Sequence, residues 1–251
     1  MPSQVALVTG GSRGLGRSIS RHLARSGVNV IITYRDENQA NDAIGEITDM
    51  GVKGGKLRLD VTDFGGYGPF ADNVREILRD HFGQSHLDYL VNNAGVGFYS
   101  PFENTSEKIF DEQFAINVKA PYFLTQALLE TLTSNSRVLN VTTATTRGVV
   151  PGLSAYAATK GAIEVLTRYL AVELAGRGIR VNALMGGATD DTDFLGGMMR
   201  SEEVAALAAR QVALGRIGHV DELAAAVPAI LSDSFAWATG SVIDVSGGQA
   251  L

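Results

Sequence analysis

Short apolar runs alternate along the chain with stretches whose apolar residues recur every three or four positions. The runs "VALVT" (5–9), "VNVIIT" (28–33), "KLRLD" (56–60), "LDYLVNN" (87–93), "RVLNVT" (137–142), "IRVNAL" (179–184) and "SVIDVS" (241–246) predict strands. Between the last two pairs of runs, Ile163, Leu166, Leu170 and Leu174 illustrate the helical spacing that shares one face. Strand, helix, strand repeated about six times predicts an α/β domain. Its expected form is a doubly wound parallel sheet of about seven strands with helices on both faces. No linker, repeat or low-complexity tract divides it, so a single domain over 1–251 is expected. Ligands of such sheets bind beyond the carboxyl ends of the strands.

Composition narrows the chemistry. The 251 residues contain no cysteine, which excludes disulfides, thiol catalysis and thiolate metal sites. The four histidines, His22, His81, His86 and His219, have no paired spacing, so no metal is expected. A formal charge of −6 gives no support to nucleic-acid or acidic-membrane binding. No apolar run reaches membrane length, and the start "MPSQVALVTGG" lacks the regions of a signal peptide. A soluble, cytoplasmic protein is the expectation.

The first strand runs into "TGGSRGLG" (9–16) and then a helix. Gly10, Gly14 and Gly16 permit a tight turn and close backbone approach. The helix N-terminus offers N–H groups and a positive dipole end to a pyrophosphate. This is a Rossmann-type phosphate site with the order GxxxGxG, and Ser12, Arg13 and Leu15 complete its candidate contacts. After the second strand the sequence reads "IITYRDE". Asp36 fits the count for an acidic residue on a ribose 2′-hydroxyl, but it lies where the next helix begins. Tyr34 takes the strand end. Arg35 beside it, with Arg13 in the glycine loop, could hold a 2′-phosphate. NADPH is therefore the expected cofactor and NADH the alternative, although two surface arginines would give the same pattern.

In "NVTTATTRGVVPGLSAYAATKGA" (140–162), Tyr156 and Lys160 stand one helical turn apart. An ammonium beside a phenol favours the phenolate and lowers the tyrosine pKa. Taken alone, the spacing fits an exposed Tyr and an exposed Lys better.

The chain resembles the short-chain dehydrogenase/reductase family nearly end to end. The likeness rests on "TGGSRGLG" (9–16), "LDVTD" (59–63), "NNAG" (92–95), Asn117 in "FAINV", Tyr156-x-x-x-Lys160 and "GSVIDVSGG" (240–248), in this order. "YRDEN" and "GRIGHVDELA" are similar to its 3-oxoacyl-carrier-protein-reductase-like branch. The resemblance implies that Asp60 and Val61 flank the adenine. It implies that Asn92, Ala94 and Gly95 form the wall behind the cofactor, and that Asn117 holds a water relaying protons to Lys160. Lys160 would bind the nicotinamide ribose and depress the Tyr156 pKa. Tyr156 would protonate the carbonyl oxygen as hydride arrives.

Two departures from the family pattern stand out. The serine expected about thirteen residues before the tyrosine is Thr143, which keeps the hydroxyl and adds a methyl. Thr142 and Thr145 are close enough that the register could be off by a position. After the sixth strand, "NALMGGATDDTDF" has Gly186 where the family has proline, followed by Gly187. Thr189 and Thr192 both become candidates for the nicotinamide amide, Thr192 being preferred.

A substrate lid is expected at about 188–215, with "FLGGMMR" joining apolar side chains to a glycine hinge. Phe98, Tyr99, Val150, Leu153 and Phe194 would line an apolar pocket for a small-molecule ketone or aldehyde, and Arg147 could meet an anionic group or simply lie on the surface. The helices at about 106–132 and 154–175 are apolar on more than one face. The resemblance implies that they pair between subunits, in a homotetramer or alternatively a dimer. The leading expectation is an NADPH-dependent carbonyl reductase. An NAD-dependent alcohol dehydrogenase and a nucleotide-binding regulator without turnover are the alternatives.

Overall fold

The computed structural model describes residues 4–190 and 194–251. Seven parallel strands form one sheet in the order β3-β2-β1-β4-β5-β6-β7. They are β1 (Val5–Val8), β2 (Asn29–Tyr34), β3 (Gly54–Arg58), β4 (Leu87–Asn92), β5 (Leu132–Thr143), β6 (Arg180–Gly186) and β7 (Val242–Val245). Strand order reverses between β1 and β4. The loops leaving these two strands therefore diverge and open a crevice at the carboxyl edge.

The sheet is buried on both faces, as its near-continuous apolar runs require. On one face α1 (Gly14–Arg25), α2 (Glu37–Thr48), α8 (Val220–Ala225) and α9 (Val227–Leu231) cover a core that includes Val8, Ile32, Val91 and Leu184. On the other, α3 (Tyr67–Ile77), α5 (Ala120–Ala127) and α6 (Ser154–Glu173) cover Leu7, Leu90, Leu124 and Val138. Remaining helices are α4 (Glu107–Phe114) and α7 (Glu202–Ala209).

Most boundaries move by a residue or two from the sequence reading, and three of the differences have a clear cause. β3 begins at Gly54, because its main chain pairs with Val30 before the apolar side chains start. β5 begins at Leu132, but its pairing with β4 shifts register between Leu87 and Tyr89. There the polar residues 133–136 loop aside, with Asn135 at φ 79° and Ser136 Oγ donating to the Leu87 carbonyl. The helix expected at 106–132 is two helices, α4 and α5, joined by a widened five-residue turn at Ala115–Lys119. Pro121 supplies the cause: it has no N–H to give the Asn117 carbonyl four residues earlier.

Candidate active site

The glycine loop leaves β1 with Gly10 at φ +64° and Gly14 at φ +51°, both in the left-handed region. A Cβ on Gly16 would overlap the Gly10 carbonyl oxygen and sit 2.5 Å from Asn93 Nδ2. The N-terminus of α1 carries no side-chain cap and no acidic residue in its first turn, and a Cβ on Gly14 would meet nothing within 4 Å. That open, positively polarised cradle fits an anionic pyrophosphate. Ser12 is buried, Arg13 is exposed, and Leu15 packs partly against the core.

Thr9 locks the cradle to the end of β4. Its hydroxyl oxygen accepts from the N–H groups of Asn93 (3.0 Å) and Ala94 (2.9 Å), while Asn93 Nδ2 donates to the Thr9 carbonyl at 2.8 Å. Thr33 Oγ1 accepts from the Gly10 N–H at 3.0 Å. The sequence reading missed Thr9, Thr33 and Asn93 as parts of the site. It also gave Asn92 a role that its side chain does not fill. Asn92 lies at the right strand end, but its amide points to the face covered by α3, α5 and α6, donating to Thr125 Oγ1 (3.0 Å) and Asn140 Oδ1 (2.9 Å). Strand alternation is the physical reason: Leu90 and Asn92 share a face.

At the next strand ends, Tyr34 closes β2 and pairs in register with Arg58 of β3. The carboxylate of Asp36 caps α2, accepting from the N–H groups of Asn38 (2.9 Å) and Gln39 (3.2 Å). Asp60 accepts from the Thr62 hydroxyl (2.7 Å) and N–H (2.9 Å). Those bonds, helped by the nearby Arg35 and Arg58 charges, hold its carboxyl below the usual range. The Val61 carbonyl accepts from the Tyr67 hydroxyl at 2.6 Å.

Tyr156, Lys160 and Asn117 are all buried and converge where β4 and β5 end. Asn117 clamps the chain after β4: Nδ2 donates to the Val96 carbonyl (2.8 Å) and Oδ1 accepts from the Val96 N–H (2.9 Å). Its Nδ2 also reaches Thr159 Oγ1 at 3.1 Å, and that hydroxyl donates to the Tyr156 carbonyl at 2.7 Å. Lys160 Nζ donates to the Val141 carbonyl at 2.9 Å and stands 5.9 Å from the centre of the Tyr156 ring. A Cβ on Gly95 would lie 3.1 Å from Asn117 Oδ1 and 3.4 Å from Lys160 Nζ.

The three threonines face different partners. The Thr143 hydroxyl acts on the Tyr156 phenol, favouring its charged form. Thr142 turns to α6, donating to Glu164 Oε1 at 2.9 Å. Thr145 packs beside Thr143, its N–H donating to Thr143 Oγ1 at 3.4 Å.

The expected electrostatics of the Tyr–Lys pair are reversed in the chain itself. Burial pushes the Tyr156 phenol up, and the Thr143 hydroxyl opposes it. The same burial pushes the Lys160 ammonium down to about 8. Desolvation disfavours both charged forms and outweighs the attraction that the spacing alone suggested.

After β6, a Cβ on Gly186 would come within 2.8 Å of Leu223 Cδ2, so Leu223 fills the space a proline ring would need. Gly187 passes so close to the Ser246 carbonyl oxygen that a Cβ there would sit 2.7 Å from it. Thr189 pairs with Gly218. Thr192, and the Phe194 side chain, lie outside the described residues. Leu195, Gly196 and Gly197 adopt left-handed conformations before α7. Leu153 is buried, Phe98 and Val150 are half-buried, and Tyr99 is exposed, with its ring filling the space beside Gly152. Arg147 meets Asp244 Oδ2 at 2.7 Å and the Gln249 carbonyl at 2.9 Å, so its place is structural. Among the described residues no acidic or histidine cluster could hold a metal. Nor is any helix long and apolar enough to cross a membrane.

A phosphate cradle at the switch point, beside a buried phenol with a hydroxyl and an amine in reach, defines an oxidoreductase that depends on a nicotinamide dinucleotide. The profile of the family described as Enoyl-(Acyl carrier protein) reductase matches residues 10–250. An uncharacterized oxidoreductase of Methylorubrum extorquens (strain AM1) is 36% identical over 99% of this chain and 98% of its own length. Among solved structures, the promiscuous reductase LugOII, which catalyses keto-reduction at C1 in lugdunomycin biosynthesis, superposes with TM-score 0.91. It is 34% identical and covers 99% of this chain and 98% of that one. The angucycline C-6 ketoreductase LanV with bound NADP gives TM-score 0.92 at 30% identity, covering 98% and 95%. The chain belongs to the short-chain dehydrogenase/reductase family.

Proposed function

We propose that the protein reduces a ketone or aldehyde to an alcohol with NADPH, Tyr156 acting as general acid. The observation that carries this reading is the convergence of buried Tyr156, Lys160 and Asn117 where β4 and β5 end, with the Thr143 hydroxyl favouring the phenolate, at the strand ends facing the phosphate cradle. When bound, the dinucleotide supplies hydride to the carbonyl carbon. Tyr156 holds its proton through the neutral range and gives it to the carbonyl oxygen as negative charge develops there. The Thr143 hydroxyl donates to the same oxygen. Lys160 holds the nicotinamide ribose, and Asn117 fixes the wall formed by Val96 and Gly95. Asp60 and Val61 flank the adenine, Ala94 and Gly187 back the nicotinamide side, and Thr189 or Thr192 takes its amide.

Preference for the 2′-phosphate is supported by the fate of Asp36. Its carboxylate is committed to the first turn of α2, while Arg35 stands exposed beside Tyr34. The bound NADP in the LanV structure points the same way. The substrate end of the crevice is apolar, with exposed Tyr99, Phe102 and Val149 on the loops after β4 and β5. Together with the two ketoreductase relatives, this favours a large, apolar carbonyl compound. Segment 188–215 would close over it. Exposed Phe110, Tyr122, Phe123, Val165, Tyr169 and Val172 on α4, α5 and α6 support pairing of these helices between subunits, in a tetramer or a dimer.

Equilibrium binding of NADPH and NADH, read side by side by nicotinamide fluorescence, tests the cofactor. Tighter NADPH binding that Arg35→Asp reverses is the expected result, and equal binding in both proteins rules the preference out. Tyr156→Phe should bind NADPH normally and lose at least a hundredfold in reduction of a good substrate.

A further inference from the structure

β6 ends at Gly186 and the loop after it opens on Gly187, two consecutive glycines that leave the backbone permissive. Yet its next residues are held from two sides. Gly218 exchanges hydrogen bonds with Ala188 and Asp190 at 2.9 and 3.0 Å. From the other side, Gln249 Oε1 accepts from the Ala188 N–H at 2.7 Å. Gln249 is 6% exposed, in the segment that follows β7. Its own N–H donates to Ser246 Oγ at 3.0 Å, and its carbonyl accepts from Arg147, which also grips Asp244.

The same residue pairs with Val212 in an antiparallel bridge. Around it Ala213 N–H donates to the Gly248 carbonyl (3.2 Å), Leu214 N–H to the Gly247 carbonyl (3.1 Å) and Ala250 N–H to the Gln211 carbonyl (3.0 Å). Gln249 therefore touches the turn after catalytic Thr143, the loop after β6, and the segment that follows α7. Gly187 has to be a glycine for this to happen, because a Cβ there would lie 2.9 Å from Gln249 Oε1.

We propose that Gln249 is a positioning residue whose side-chain carbonyl fixes the loop 187–190 for the nicotinamide end of the cofactor and ties it to the segment 211–214. The cofactor half of this statement rests on the dinucleotide reading above. The substitution of proline by glycine at 186 removes an internal restraint, and Gln249 supplies one from outside.

The test compares wild type, Gln249→Met and Gln249→Glu. Methionine keeps the length without a comparable acceptor, and glutamate keeps the accepting oxygen. Gln249→Met should weaken NADPH binding about five- to tenfold, the factor for one lost buried hydrogen bond, and raise KM for NADPH more than it lowers kcat. Amide exchange should quicken in peptides covering 187–190 and 211–214 while the other helices stay protected. Gln249→Glu should recover most of the loss. Wild-type affinity in Gln249→Met, equal damage in both variants, or faster exchange across the whole chain would each overturn the proposal. If wild type binds no nicotinamide dinucleotide, the functional reading fails, and the exchange comparison alone then decides whether Gln249 fixes the loop.

Discussion

Replacing Lys160 with methionine separates the burial of its ammonium from every other feature of the site. Burial takes the folded-state pKa from 10.5 to about 8. At about 1.4 kcal/mol per pKa unit, the two values differ by about 3 kcal/mol. Below about pH 8 the amine is charged in both states, and the burial penalty is present in full. Between about pH 8 and about 10.5 the unfolded chain holds a proton that the folded chain has released, so wild-type stability rises with pH. Above that window the amine is neutral in both states and the penalty is gone. Urea unfolding of wild type and Lys160→Met, cofactor-free and at a series of pH values, should therefore show wild type gaining about 3 kcal/mol on the variant across the window. Taking the difference cancels the other groups that titrate there, Tyr156 included. A gap between the two proteins that does not change between about pH 8 and about 10.5 would refute the reasoning, because it would mean that the ammonium is not desolvated.

Gly16→Ala should cost about 1–3 kcal/mol of stability through overpacking against Gly10 and Asn93 and abolish dinucleotide binding, both measurable in one thermal-shift titration with NADPH. Thr143→Val, which keeps the shape and removes the hydroxyl, should lower kcat about a hundredfold, whereas Thr143→Ser should retain most of it. Steady-state kinetics would contradict the assignment if both variants behaved alike. Reduction by NADPH should be flat through neutral pH and fall as pH rises through about 8, where Lys160 loses its proton; a profile that instead rises there would contradict the role given to the ammonium.

The sheet was legible because its strands are apolar runs of the length that buried parallel strands require, and their order follows from right-handed crossovers. Where the signal was local, the site was legible too. The glycine spacing puts Gly10, Gly14 and Gly16 in the turn after β1 and at the start of α1, and the i, i+4 spacing puts Tyr156 and Lys160 on one buried stretch of α6. The break in the 106–132 helix was written at Pro121, whose missing N–H acts on the Asn117 carbonyl. Asn92 and Asn93 could have been told apart by alternation, since Leu90 shares the face of α3, α5 and α6. What could not be read was long-range: Gln249 meets Ala188 across 61 positions, and Leu223 fills the place of a proline ring at 186 from a different helix.

The Tyr156–Lys160 pair shows why spacing alone misjudged the electrostatics. Four residues on a helix set a separation, and from separation one infers attraction between an ammonium and a phenolate. Burial acts on each group alone before the attraction acts on the two together. Here one cause moves the two pKa values apart, the phenol up and the amine down. The neutral phenol is the form that can give a proton, and the phenolate is the form that can take one. A site that keeps the phenol protonated through neutral pH is set for reduction. Running the same chemistry as oxidation requires a phenolate, which burial opposes until the solution is alkaline. The desolvation that contradicts the simplest reading of the i, i+4 spacing is thus what keeps Tyr156 in its proton-donating form through neutral pH.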